Sequence, residues 1–170
     1  SASGQAVSQT PVGDTPTTAR TVSGDYISWR EHIIDDPVTA GVNFSGSDGF
    51  VMGDIDKDGF EDIVSVHESD AEYDSGSFLE DFVPPVAGHV RVHFGSSDPD
   101  SWVNITIAEA EDVPAPEDAV ITDLNGDGWL DIVAAAERSH LIYLQNPGPN
   151  ARSETWPRLI LPQTRGKGSY

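Results

Sequence analysis

Val51-Met-Gly-Asp-Ile-Asp-Lys-Asp-Gly-Phe-Glu-Asp-Ile-Val64 and Val120-Ile-Thr-Asp-Leu-Asn-Gly-Asp-Gly-Trp-Leu-Asp-Ile-Val133 align without a gap. In each, a short apolar run enters an acidic loop and a second run, Asp-Ile-Val, leaves it. Val- and Ile-rich runs bounded by Gly, Asp and Ser predict strands rather than helices. Only Ala108 to Asp112 and Ala134 to Arg138 have a helix-friendly composition, and both are short. Beyond the aligned stretches, Glu68 falls opposite Glu137.

Working outward, further elements recur. His89-Val-Arg-Val-His-Phe-Gly95 matches His140-Leu-Ile-Tyr-Leu-Gln-Asn146, and Trp heads Trp29-Arg-Glu-His-Ile-Ile34, Trp102-Val-Asn-Ile-Thr-Ile107 and Trp156-Pro-Arg-Leu-Ile-Leu161. One unit therefore reads as apolar run, aspartate loop, apolar run, alternating strand, turn and Trp-headed strand. Internal repeats of four strands are expected for propeller blades, with a sandwich as the competing architecture. The expected fold is all-β, with two four-stranded propeller-type blades and one orphan strand. It is incomplete as a closed propeller, since a ring takes about four to eight blades. The expected boundaries are a flexible arm over 1–25 and β repeats over 26–170. Within the latter, the orphan strand covers about 28–34, repeat one about 48–107 and repeat two about 118–161. An acidic and aromatic insertion, roughly Ser69 to Gly88, is present in the first repeat only.

Nine Lys and Arg face 29 Asp and Glu among 170 residues, a formal charge of -20. This argues against nucleic acid or an anionic membrane as partner. Bound divalent cations would relieve the self-repulsion of a compact body so charged. The absence of cysteine excludes disulfides and thiolate metal sites, so any metal is held by oxygen or histidine. No apolar run approaches the roughly 20 residues that span a bilayer, and no leader pattern opens the sequence. The chain is expected to be soluble, without membrane insertion.

Loop positions 1, 3, 5 and 9 are Asp54, Asp56, Asp58 and Asp62 in the first repeat and Asp123, Asn125, Asp127 and Asp131 in the second, with Gly59 or Gly128 at position 6. Calcium takes six to eight hard oxygen ligands at flexible geometry, and such a loop turns alternate side chains inward around its glycine. Position 7, Phe60 or Trp129, would add a backbone carbonyl. Magnesium fits less well because it keeps its water. An EF-hand would close on a bidentate Glu at position 12 between helices, whereas Ser65 and Ala134 stand there. The alternative without metal is a pair of Asx-type turns.

These loops resemble the calcium loops of FG-GAP repeats, also called VCBS repeats, found in integrin α-chain propellers and in secreted bacterial and fungal proteins. The resemblance runs from about Ser28 to the C-terminus. It implies that each loop joins the inner two strands of a blade. It also implies two calcium sites, one of Asp54, Asp56, Asp58, Phe60 and Asp62, the other of Asp123, Asn125, Asp127, Trp129 and Asp131. The neutral Asn125 is expected to weaken the second site.

Five histidines, His32, His67, His89, His93 and His140, raise a histidine metal site as a weaker candidate. His67, Glu68 and Tyr73 form a further group suited to acid–base work. Asn43 and Asn104 head glycosylation sequons. The expected function is a secreted, extracellular calcium-binding module with a structural or binding role. Its protein partner would be further copies of itself or the rest of a longer chain, with carbohydrate as another candidate ligand. The alternatives are the N-terminal propeller part of a secreted carbohydrate-active lyase or dehydratase, and a subunit of a self-assembling extracellular filament. No catalytic residue is assigned.

Overall fold

A computed structural model of the chain describes residues 15–69, 86–137 and 139–166. The chain falls into two units that divide between Ile33 and Ile34.

In the first unit β1 (Thr15–Arg20) pairs antiparallel with β2 (Tyr26–Trp29). The structure corrects two expectations here. Residues 15–20 of the expected arm form a strand, and the strand placed at about 28–34 ends at Trp29, with a partner in β1. Polar chemistry accounts for both. Thr-rich β1 suits an extended backbone, and the turn between the strands closes on itself. Thr21 N donates to Asp25 O at 2.9 Å, Ser23 Oγ to Asp25 Oδ2 at 2.7 Å, and Gly24 supplies a φ of 91°. This hairpin forms with little apolar burial, and Trp29 closes its strand at 67% exposure.

The second unit opens with a short helix, α1 (Pro37–Ala40), capped by Asp36 Oδ1 on Val38 N at 2.8 Å. Two four-stranded antiparallel meanders follow. The first runs β3 (Ser47–Gly53), β4 (Asp62–His67), β5 (His89–Phe94), β6 (Val103–Glu109). The second runs β7 (Pro116–Thr122), β8 (Asp131–Ala136), β9 (His140–Leu144), β10 (Arg158–Ile160). The fold is all-β, in incomplete blades, and the described strands close no barrel. Both helix-friendly stretches yield: Ala110–Asp112 is a single 3-10 turn, and Ala134 lies inside β8.

Register repeats with the sequence. Val51 pairs with Val64 and His67 with His89, while Val120 pairs with Val133 and Ala136 with His140. Val64, Val66, Val90, Val92 and Phe94 of the first sheet join Ile132, Ala134, Ile142 and Leu144 of the second in one core, each fully buried. Burial of each Val, Ile, Leu or Phe side chain among them contributes about 1.5–3 kcal/mol, and the Ala134 methyl less. β3 and β7 come close enough that a Cβ on Gly53 would stand 2.6 Å from Ile121 Cδ1. A larger residue at 53 would have to displace the tip of the Ile121 side chain.

β4 and β5 are buried on both faces. The second face is polar and lies under residues 35–44. Ser65 Oγ sits 2.8 Å from His67 Nε2 and 2.7 Å from His93 Nε2. His93 Nδ1 meets Asn104 Oδ1 at 3.1 Å, and Arg91 Nε donates to Asp35 Oδ2 at 2.6 Å. Asn104 Nδ2 donates to Ile34 O, so Oδ1 is the acceptor and His93 carries its proton on Nδ1. A neutral His93 then accepts from Ser65 through Nε2, and His67 Nε2 donates to Ser65. Among the described residues no buried side-chain polar atom of this stack lacks a hydrogen-bond partner, which lets it be buried.

Candidate metal centres

Gly53 with Asp62 and Thr122 with Asp131 are the last pairs of their hairpins, so each aspartate loop is the connection at one end of a sheet. In the first loop Lys57 and Gly59 take φ of 62° and 91°; in the second Gly126 and Gly128 take 77° and 91°. These left-handed residues turn the chain tightly enough to bring alternate side chains to one side.

Asp54, Asp56 and Asp58 converge, each offering one carboxylate oxygen within 4.8 Å of the others. Backbone amides fix their orientation. Asp54 Oδ2 accepts from Gly59 N at 3.1 Å, Asp56 Oδ1 from Asp58 N at 3.2 Å, and Asp58 Oδ1 from Phe60 N at 2.9 Å. Asp54 Oδ1 is buried and has no hydrogen-bond partner among the described residues. Such an oxygen among two further carboxylates lacks a cation or a donor. Arg152, from the connection between β9 and β10, takes the remaining oxygens. Its Nε donates to Asp56 Oδ2 and its Nη2 to Asp58 Oδ2, the latter at 2.6 Å.

Asp62 stands apart from this trio. Fully buried, it accepts from Ile55 N at 2.8 Å through Oδ2 and from Gly95 N at 2.9 Å through Oδ1. Burial pushes its carboxyl up, against the pull of those two amides. Asp131 repeats the arrangement, accepting from Leu124 N at 3.1 Å and Asn146 N at 2.9 Å. Both residues tie the loop start to the end of the third strand of their sheet. The Tyr143 hydroxyl also donates to Asp131, at 3.0 Å; burial and that carboxylate push the phenol up to about 12.

In the second loop Asp123 accepts from Gly126 N at 2.8 Å and Gly128 N at 2.9 Å, and Asp127 Oδ1 from Trp129 N at 2.9 Å. Asn125 bridges to Asp127, its Nδ2 donating to Oδ2 at 2.8 Å and its Oδ1 accepting from Asp127 N at 2.9 Å. A neutral amide thus does here what the Arg152 guanidinium does in the first loop. The two loops lie at the same end of the molecule, where Lys57 Nζ rests 4.4 Å from the Trp129 ring centroid.

Arg152, Asn146 and Tyr143 escaped the sequence reading. Arg152 carried one signal, being among the few cations of an acidic chain; the other two carried none at local spacing.

Among the described residues the one other convergent acidic group is Asp48, Glu68 and Glu117, at the opposite end of the strands. Neither group contains a histidine. His140 Nε2 donates to Asp112 O at 2.6 Å as a strut, and Ser65, His67 and His93 are each at most 7% exposed. Tyr73 and most of the 69–88 insertion lie outside the described residues. Asn43 is exposed, whereas half-buried Asn104 spends its amide nitrogen on Ile34.

Comparison of the chain with protein-family models, with curated proteins and with solved structures finds no match.

Proposed function

We propose that the chain is a calcium-binding β-repeat module of the FG-GAP or VCBS kind, with an extracellular structural or binding role. Asp54 carries this reading. Its buried Oδ1, without a partner among the described residues, belongs to a carboxylate that converges with those of Asp56 and Asp58 in a loop whose side chains are already oriented by the backbone, and all-oxygen donors at a flexible loop suit calcium. In the first site Asp54, Asp56 and Asp58 would hold the ion with the Phe60 carbonyl, and Asp62 would brace the loop. In the second, Asp123, Asn125 and Asp127 would do so with the Trp129 carbonyl, braced by Asp131. Bound ions would neutralise carboxylates that otherwise repel one another and would rigidify both inner hairpins.

Apolar surface on the first strands supports completion of the sheets by further copies or by the rest of a longer chain. Phe50 and Met52 on β3 and Val120 on β7 are 69%, 46% and 55% exposed. Phe50 and Met52, two apart on one strand, share a face and suit contact with a protein partner.

Calorimetric titration of the chelator-treated protein tests the function. Two calcium ions should bind per chain, in the range of about 10⁻⁴ to 10⁻³ M expected for extracellular modules. Absence of calcium uptake, with a melting temperature indifferent to EDTA, would overturn it.

A further inference from the structure

We propose that Arg152 is a resident counter-cation of the first aspartate loop, against which a divalent ion must compete, so that the second loop fills at lower calcium concentration. The proposal rests on the reading that both loops take calcium, and adds which is favoured and why. It also reverses the ranking that charge count alone suggests, since the second loop has the neutral Asn125.

The atoms that an ion needs are those the guanidinium holds. Asp56 Oδ1 and Asp58 Oδ1 face backbone amides, leaving the two Oδ2 atoms free to turn inward. Arg152 spans both with a two-pronged donor geometry, Nε to Asp56 and Nη2 to Asp58. A guanidinium never loses its proton in a protein, so it leaves only by moving. The same position in the second loop is held by the Asn125 amide. That group must give up the bond its Oδ1 accepts from Asp127 N in order to turn Oδ1 inward in place of Nδ2, but it carries no charge to repel the ion.

Arg152 also has a place to go. Its guanidinium lies 5.2 Å from the Phe94 ring centroid, and beside it is a cavity of about 270 Å3 whose lining includes Ile105, Ile107, Thr155 and Trp156. Because Arg152 belongs to the second repeat and Asp56 and Asp58 to the first, entry of calcium would exchange a contact between repeats for a metal site within one.

The test isolates each loop in the full-length chain. Asp127→Asn leaves the first loop as the stronger site, and Asp58→Asn leaves the second. In the Asp127→Asn background, Arg152→Gln should tighten calcium binding by roughly three- to fivefold, the scale of one partly exposed charge interaction. In the Asp58→Asn background the same change should alter affinity less than about twofold. Arg152→Lys keeps the charge and most of the packing without the fork, and should fall between. Equal tightening in both backgrounds, or none in the first, overturns the proposal while the calcium reading stands. If the unaltered protein takes up no calcium, the reading falls and the proposal with it.

Discussion

The Asn146 side-chain amide donates to the backbone oxygen of Ile55 at 3.0 Å, joining the end of the second repeat's third strand to the first aspartate loop. The same Nδ2 donates to Leu130 O at 3.0 Å, and Oδ1 accepts from Gly148 N at 2.8 Å. One buried amide thus fixes the starting carbonyl of one loop and the closing carbonyl of the other.

Asn146→Ala should therefore destabilise the protein by about 2–4 kcal/mol in urea unfolding at fixed calcium, since it leaves buried carbonyls without a donor. Asn146→Asp should cost at least as much, because a carboxylate would face two carbonyl oxygens. A loss below about 0.5 kcal/mol would show that the loops are held together by other contacts.

Asp54→Asn should change sign with metal. Without calcium it removes one of three crowded charges, so the variant should melt at or above the parent's temperature in EDTA. With calcium it removes the best-placed ligand, so the calcium-induced rise in melting temperature should shrink. A uniform drop in both conditions would assign Asp54 to packing alone.

The buried histidine stack makes stability depend on pH. Burial, then the charges of His93, Arg91 and His89, push the His67 imidazole down to about 4, with Asp35 pulling the other way. His89 and His93 are pushed down as well, burial again being the main cause. Unfolding returns such a group to its ordinary value near 6.5, so the unfolded chain binds more protons between those limits. The His67 contribution is complete above about pH 6.5, declines as pH falls, and is gone below about 4. The full span is on the order of 3 kcal/mol. Asp48 and Glu117, pushed up chiefly by burial, work in the opposite sense. The informative quantity is thus the difference from His67→Gln, whose unfolding free energy should fall less steeply over this window. Parallel curves would remove His67 as the cause.

Trp29 and Trp156, which look equivalent in sequence, should separate sharply on truncation. Trp156 is 2% exposed and its Nε1 donates to Ala151 O at 3.1 Å, so Trp156→Ala should cost about 3–5 kcal/mol. Trp29→Ala, at an exposed strand end, should fall within about 0.5 kcal/mol of the parent. Thermal or urea unfolding of the two variants decides this directly.

Local spacing determined much of this protein. A gap-free repeat with alternate Asp residues around a glycine specifies a tight hairpin connection, and Val–Ile runs on either side specify its strands. Two four-stranded sheets, and the gathering of Asp54, Asp56 and Asp58, were therefore legible in the sequence. The hairpin of β1 and β2 carries no such signature, because it is built from Thr hydroxyls and a polar turn rather than from apolar burial. Only the tertiary structure decided what surrounds the loops. Arg152 reaches Asp58 across 94 positions and Asn146 reaches Ile55 across 91. Asp35 meets Arg91 across 56. Partners so far apart leave no periodic trace along the chain, since only the stacking of one sheet on the next, or for Asp35 the passage of its segment over the first sheet, brings them within reach.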